Sequence, residues 1–259
     1  MIVKCEPVQQ PAHLSPSSIG TWQQCPLRFK LSRIDKVPEP STEAQVLGSF
    51  VHEILETLYG LPAEERTPAS ARKIAADLWY ATWHKEVADL SLSEAQRHKL
   101  RWQVWWCVEE LFKMENPTEV HLEGIEQKLE IHIGDAKLLG IIDRWNLNPE
   151  GKAIISDYKT GKKPRPQYEA EKRFQLGVYT HLIQEVANCE VSYAELLYLK
   201  EGIRWGFTPD QALVNQVIST VKDVWDQLGQ SCSNGQFEAK PAKLCDWCNY
   251  KSTCPAWAK

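Results

Sequence analysis

Residues 140–179 read GIIDRWNLNPEGKAIISDYKTGKKPRPQYEAEKRFQLGVY. They begin with two short apolar runs in which alternate residues share a face, as they do in β-strands. Between the runs, residues 148–151 (NPEG) form a typical turn sequence, so the runs are predicted to pair as an antiparallel hairpin. This hairpin brings Asp143, Asp157 and Lys159 together on one face. Two carboxylates and an ammonium are costly to bury without compensation of charge, and a divalent cation would supply it.

Four short motifs lie in and around this hairpin. They are GSFVH at residues 48–52, GIIDR at residues 140–144, DYKTG at residues 157–161 and QLGVY at residues 175–179. In type and order they resemble the G-x-x-x-H, G-x-x-D-R, D-x-K and Q-x-x-x-Y elements of the PD-(D/E)xK nuclease superfamily. Within that superfamily the sequence resembles RecB-family exonucleases of the iron-sulfur type, a group that includes the AddB nuclease domain and CRISPR-associated adaptation nucleases.

The resemblance implies an α/β fold of the restriction-endonuclease type, with a mixed central sheet flanked by helices. We expect one nuclease domain over residues 1–259, with a helical insertion at residues 61–118. The apolar periodicity of the rest of the chain agrees with this fold class. It predicts helices at residues 43–59, 69–115, 169–186 and 209–230, and strands at residues 120–133, 191–199 and 202–207.

The same resemblance implies a metal site in the hairpin. Asp143, Asp157 and the main-chain carbonyl of Tyr158 would provide the hard oxygen ligands that suit magnesium or manganese. His52 would add a nitrogen ligand, although a lone histidine on a helix is more often structural. Glu126 is either a further metal or water ligand or an exposed strand glutamate without a special role.

The remaining candidate site residues are expected to act in phosphodiester hydrolysis or to position the groups that do. The metal would polarise the scissile phosphodiester and acidify a bound water, while Lys159 orients that water or offsets charge in the transition state. Gln175 and Tyr179, which share a helix face at a spacing of four, would position the substrate strand or Lys159. Gly48 costs about 1 kcal/mol of helix propensity relative to alanine, which indicates a close approach beside His52.

Three cysteines near the C-terminus form the pattern C-x2-C-x5-C-P. A structural zinc site usually has a second cysteine pair or a histidine nearby. Neither is found near Cys245, Cys248 and Cys254, although zinc remains the alternative. A distant fourth thiolate suits an iron-sulfur cluster, and the resemblance implies Cys25, which also precedes a proline. A 4Fe-4S cluster would then join both ends of the chain as a structural staple. The other cysteines have no such spacing and are expected to be unligated: Cys5, Cys107, Cys189 and Cys232.

Composition is that of an ordinary soluble globular protein, with 43% hydrophobic and 25% charged residues. No apolar run is long enough for a membrane span or a signal peptide, so an extended N-terminal arm and a cytoplasmic location are expected. The net charge is -4. Residues 159–173 nevertheless carry six basic and two acidic side chains. This basic strip is either a binding surface for phosphates or a solvated loop.

Five of the eleven tryptophans lie in the helical insertion. They are expected mainly to fill an accessory core, and stacking on single-stranded bases is the alternative. These tryptophans are Trp79, Trp83, Trp102, Trp105 and Trp106.

Together these features predict metal-dependent hydrolysis of DNA, exonucleolytic on single strands, in repair or recombination, with a possible helicase or repair partner. A CRISPR-associated adaptation nuclease and a catalytically inactive DNA-binding scaffold are the alternatives. The intact Asp143, Asp157 and Lys159 disfavour the scaffold. The sequence contains no Walker A motif, which disfavours helicase action by this chain.

Overall fold

The computed structural model describes residues 1–257 of the chain. The strands in this part are β1 (Ile2–Lys4), β2 (Leu122–Ile133), β3 (Ala136–Leu147), β4 (Ala153–Lys159), β5 (Val191–Tyr198), β6 (Ile203–Phe207) and β7 (Gln236–Glu238). A five-stranded sheet has the order β2-β3-β4-β5-β6. β4 and β5 are parallel and the other neighbours are antiparallel, so the predicted mixed sheet is confirmed.

Helices lie on both sides of this sheet. They are α1 (Pro16–Gln24), α2 (Pro26–Phe29), α3 (Glu43–Tyr59), α4 (Pro68–Leu78), α5 (His84–Asp89), α6 (Glu94–Met114), α7 (Glu169–Ala187) and α8 (Gln211–Asn234). α3 has the predicted bounds, and α8 extends four residues beyond its predicted end. The region predicted as helical at residues 69–115 is divided, because a π-helical turn at Trp79–Trp83 and a turn at residues 90–93 interrupt it. None of the helices within residues 1–257 has the length and apolarity to cross a bilayer.

The predicted hairpin joins β3 and β4. Residues 148–151 form its turn, in which the amide of Gly151 donates to the carbonyl of Asn148 at 3.0 Å. Gly151 has φ +74°, which glycine adopts without steric cost. The side chain of Asn148 accepts bonds from the amides of Glu150 and Lys152. The local sequence therefore fixes the hairpin register.

Alternate residues of β4 and β5 belong to two hydrophobic clusters, one on each face of the sheet. Ile155 and Leu196 belong to the cluster that includes α1, α7 and α8. Tyr158 and Leu197 belong to the cluster that includes α3 and the insertion helices. A side chain at the end of β4 is therefore reached by α7 from one face and by α3 from the other.

The N-terminal segment is extended as expected, but it is tied down along its length. β1 pairs with β7 in a two-stranded sheet. Further along, Leu14 exchanges backbone hydrogen bonds with Lys137 and Leu139 at 2.8 Å. The first contact brings the beginning of the chain against residues 236–238, and the second joins it to β3 of the central sheet.

Arg144 connects the central hairpin to the helical insertion through a buried network of polar side chains. Its guanidinium donates to Tyr59 Oη at 2.7 Å and to Ser156 Oγ at 3.0 Å, and it forms an ion pair with Glu115. Arg204 donates to the same carboxylate at 2.7 Å. Arg144 is only 2% exposed, so its charge depends on these partners.

Arg144→Leu is expected to lower the free energy of unfolding by about 3–5 kcal/mol, because it leaves Glu115 largely buried without its main partner. Urea titration measures this loss. Lys152→Leu is the control, since it removes an exposed pair with Glu190 and should cost about 1 kcal/mol or less. Similar small losses in both variants would show that the network contributes little to stability.

Acid is expected to weaken the same network. Burial alone would raise the pKa of Glu115, but the charge and hydrogen bonds of Arg144 lower it below its ordinary value of 4.5. The resulting stability is complete above about pH 4.5 and is lost as the pH falls through the lower folded-state pKa. This acid-dependent loss should be smaller in Arg144→Leu, as urea titrations at several pH values would measure.

Candidate active site

The candidate site lies where β3 and β4 separate. Their pairing ends at Arg144 and Ser156, so Asp143 and Asp157 are the next residues on the two strands. Beyond this point the amide of Tyr158 donates to Oδ2 of Asp143 at 2.7 Å. Both carboxylates are buried. The hairpin thus brings the two aspartates together at a fork in the sheet, as the sequence predicts.

Asp157 is held by groups from β4 and α7. The ammonium of Lys159 lies 2.5 Å from Oδ2 of Asp157. The amide nitrogen of Gln175 donates to Oδ1 of Asp157 at 2.8 Å and to Oη of Tyr179 at 2.9 Å. Gln175 and Tyr179 therefore share the predicted helix face and act on the aspartate, with Tyr179 reaching it through Gln175.

His52 approaches the fork from α3 on the other face. Its Nε2 lies 3.0 Å from the carbonyl oxygen of Tyr158, and its Nδ1 lies 3.3 Å from Glu126 and 3.5 Å from Asp143. A Cβ added to Gly48 would lie 3.3 Å from Thr160 Oγ1. Glycine at this position therefore lets α3 approach the end of β4, as its place beside His52 indicates.

Glu126 has φ +41°, a left-handed conformation in the middle of β2. For a residue other than glycine this costs on the order of 1–3 kcal/mol and persists only where the surrounding structure imposes it. The pairing of Ile125 with Arg144 and of Gln127 with Ile142 places Glu126 opposite Asp143. The strained residue therefore directs a third carboxylate towards the fork.

Negative charge accumulates at this site. Burial and the nearby charge of Asp157 raise the pKa of Asp143 to about 7. Burial alone would lower the pKa of His52, but the hydrogen bond to Glu126 and the charges of Asp143 and Asp157 raise it to about 9. Burial likewise opposes the charge of Lys159, but the two aspartates raise its pKa. A cation in the fork would relieve the repulsion between carboxylates.

The donor atoms fit a divalent cation. Within residues 1–257, His52, Glu126 and Asp143 form the group whose ligand atoms all lie within 4.8 Å of one another. Carboxylates and a nearby carbonyl suit magnesium or manganese, and an imidazole ligand favours manganese over magnesium. Asp157 lies outside this group: its Oδ1 accepts from Gln175, while its buried Oδ2 lies 2.5 Å from the ammonium of Lys159 but has no hydrogen-bond partner among the described residues. Its role as a metal ligand stays a prediction.

The four cysteines of the expected cluster come from both ends of the chain and line one cavity of about 50 Å³: Cys25, Cys245, Cys248 and Cys254. In the part of the chain that the structure describes, no three of their sulfurs lie within 4.8 Å of one another. The structure therefore brings the cysteines together without forming a closed metal site. Of the others, Cys107 and Cys232 are buried, and Cys5 and Cys189 are partly exposed.

Only some side chains of the basic strip at residues 159–173 are available to contact phosphates. Lys162 and Arg165 are exposed. Lys163 forms an ion pair with Glu169 at 2.7 Å, and the guanidinium of Arg173 lies over the ring of Phe207 at 3.9 Å. Because Lys159 and Lys163 are paired with carboxylates, the charge available to phosphates is smaller than the sequence suggests.

Glu126→Gln is expected to weaken Mn²⁺ binding at least tenfold, because the amide keeps the shape of the side chain and removes its charge. Even residues that only support metal ligands contribute 10–100-fold to affinity. Calorimetric titration measures the effect. Glu130→Gln, an exposed glutamate on the same strand, is the control and should bind Mn²⁺ as the wild type does. Equal affinities of both variants would exclude Glu126 from the metal site.

The chain is similar to several known proteins. The Gene 69 proteins of Mycobacterium phages L5 and D29 are each 22% identical to the chain, over 94% of this chain and 96% of each relative. A crystal structure from Eubacterium rectale, described as a "putative exonuclease", has a TM-score of 0.56 and 12% identity. It covers 92% of this chain and 87% of its own, which shows a shared fold. The family profile of the PD-(D/E)XK nuclease superfamily matches residues 13–255, and the chain belongs to this superfamily.

Proposed function

We propose that the protein is a magnesium- or manganese-dependent deoxyribonuclease that degrades single-stranded DNA from its ends. The observation that carries the proposal is the meeting of Asp143, Asp157 and Lys159 at the fork, with His52 and Glu126 beside them. An inactive scaffold would have no need for this costly set of buried charges. We place the activity in cytoplasmic DNA repair or recombination, with a helicase or repair protein as partner.

Each side chain has a distinct task in this proposal. His52, Glu126, Asp143 and Asp157 would hold the divalent ion, which supplies Lewis acidity when bound. Lys159 places a positive charge 2.5 Å from Asp157, beside the carboxylates that would hold the ion, and would offset the negative charge that develops on the phosphodiester. Gln175 orients the Asp157 carboxylate, and Tyr179 orients Gln175. α7 thereby fixes the geometry of the fork.

The cysteine cavity supports a second part of the proposal, a 4Fe-4S cluster of the type found in RecB-family nucleases. The amide of Ala242 donates to Cys245 Sγ at 3.3 Å, and Arg28, Lys240 and Lys251 also line the cavity. This donor and these cations would offset the negative charge of a thiolate-bound cluster. A single zinc with bonds of 2.3 Å would hold its sulfurs about 3.8 Å apart. No three of the four sulfurs meet that spacing among the described residues, so the proposal of a cluster rests on the cysteine pattern and on the shared cavity.

Such a cluster would act as a staple. Cys25 and Cys245 lie 220 positions apart in the chain, so a link between them would remove part of the entropic cost of closing this long loop. β1 and β7 already bring the two ends together. The cluster would therefore reinforce an existing contact, and no electron transfer is required of it.

Asp157→Ala is expected to abolish both metal binding and DNA cleavage. Lys159→Ala should still bind metal and DNA but cleave about 10²-fold more slowly or worse, the usual loss for one preorganised charged group. Calorimetry with Mn²⁺ and single-turnover digestion of end-labelled single strands measure the two properties separately. His52→Ala should bind metal more weakly and recover part of its activity at high Mn²⁺.

Digestion of labelled single and double strands by the wild type is the direct test of the function. The Glu130→Gln variant is the matched control for activity, because this glutamate lies outside the fork. Cleavage by Lys159→Ala at the wild-type rate would reject β4 as the catalytic strand.

Cys254→Ala is expected to lose both iron and colour and to unfold more readily, because three thiolates hold a cluster poorly. The anaerobically purified wild type should be brown and contain about four irons per chain. Metal analysis and visible absorption measure this, and Cys189→Ala should retain the wild-type values. A colourless, folded wild type with one zinc would reject the cluster.

A further inference from the structure

The helical insertion contains a concave site away from the carboxylates, between α4, the π-helical turn and α6. It has a volume of about 420 Å³, within the usual range for ligand sites. We call it the aromatic pocket. Its walls include Arg72, Trp79, Tyr80, Arg101, Trp102 and Trp105.

The insertion divides its aromatic side chains between a core and this pocket. Trp83 is buried and stacks on Phe50 with ring centroids 5.1 Å apart, as expected of an accessory core. Tyr80 and Trp102, in contrast, are 74% and 55% exposed. Large aromatic rings left in water around a concave site are typical of a binding surface.

Trp102 is held as a platform. Its ring stacks on Trp106 with centroids 5.3 Å apart and an angle of 27° between the planes. The indole nitrogen of Trp106 donates to the carbonyl of Lys200 at 3.2 Å, and this bond fixes the ring on which Trp102 stacks. Because Trp102 remains more than half exposed, a further flat ring has room to stack on it.

Positive charge accompanies these rings. The guanidinium of Arg101 lies over Trp79 at 4.4 Å. That of Arg72 lies over Trp105 at 5.0 Å and is shared with Glu109, whose carboxylate lies 3.6 Å away. Residues 94–101 carry three basic side chains and one acidic side chain. A guanidinium stacked on an indole keeps its N–H edges available for an anion. Flat rings beside cations match the bases and phosphates of an unpaired nucleic acid strand.

The aromatic pocket lies close to the candidate active site. Phe50 of α3 lines the pocket, and His52 lies on the same helix but, two residues later, on a nearly opposite face. The π-helical turn connects the two sites, because Trp79 lines the aromatic pocket and Trp83 lines the cavity that contains His52 and Glu126. A strand that passes over this turn would therefore contact both.

We propose that the aromatic pocket binds an unpaired nucleotide of the same DNA strand that the candidate active site cleaves. This inference rests on the proposed nuclease function and adds a second contact for single strands. Stacked bases in a duplex present their faces to one another, so a duplex offers no free face to Trp102. The pocket therefore favours single strands over duplexes.

The test compares Trp102→Leu with Trp102→Phe. Leucine keeps an apolar side chain without a π face, while phenylalanine keeps the π face. Fluorescence anisotropy with labelled oligothymidylate, in buffer without divalent metal, should show about tenfold weaker binding for Trp102→Leu and near wild-type binding for Trp102→Phe. Blunt duplex DNA should bind both variants as it binds the wild type.

A second variant addresses the phosphate contact. Arg101→Gln should reduce the slope of log affinity against log salt concentration for single strands by about 0.7, the value for one phosphate contact. In cleavage assays, Trp102→Leu should raise KM about tenfold and leave kcat near the wild-type value, because the pocket does not touch the reacting phosphate.

The outcomes separate this inference from the function on which it rests. If Trp102→Leu and Arg101→Gln both bind single strands as the wild type does, the inference is overturned and the nuclease proposal is unaffected. This outcome is expected if the pocket binds a protein instead of DNA. A different result would be that single-strand binding depends on Trp102 but the wild type hydrolyses no DNA with Mg²⁺ or Mn²⁺. That result would reject the proposed nuclease function and retain the inference that the aromatic pocket binds single strands.

Discussion

The hydrogen bond from the amide of Tyr158 to the carboxylate of Asp143 is the contact on which the site depends. In a continuous antiparallel pair this amide would bond to the backbone of β3. Here the two strands separate, and the side chain of Asp143 satisfies the amide instead. The sheet therefore opens at the point where Asp157 follows on β4, which leaves a gap lined by carboxylates between two rigid strands.

Holding this gap open requires support from both faces of the sheet. α7 reaches Asp157 through Gln175, and α3 reaches Asp143 and the carbonyl of Tyr158 through His52. Arg144, the neighbour of Asp143, anchors the same strand to Glu115 at the end of α6. The helical insertion is thus part of the support for the fork, in addition to carrying the aromatic pocket.

The charges at the fork are poorly balanced among themselves. Burial and the charge of Asp157 raise the pKa of Asp143 to about 7. Burial opposes the charge of His52, but the hydrogen bond to Glu126 and the charges of Asp143 and Asp157 raise its pKa to about 9. Protons and a divalent cation therefore compete for the same oxygens. The left-handed backbone of Glu126 adds conformational strain to this electrostatic cost. Such costs to stability are typical of functional sites.

Much of the local structure follows from the amino-acid sequence alone: the β3–β4 hairpin with its turn at residues 148–151, the bounds of α3, and the shared face of Gln175 and Tyr179. These features depend on periodicity and turn chemistry within a few residues. The pairing of Glu115 with Arg144 and the exposure of Trp102 depend instead on how distant elements pack together. Periodicity identifies the face of an element, but it does not identify the distant residue that packs against that face.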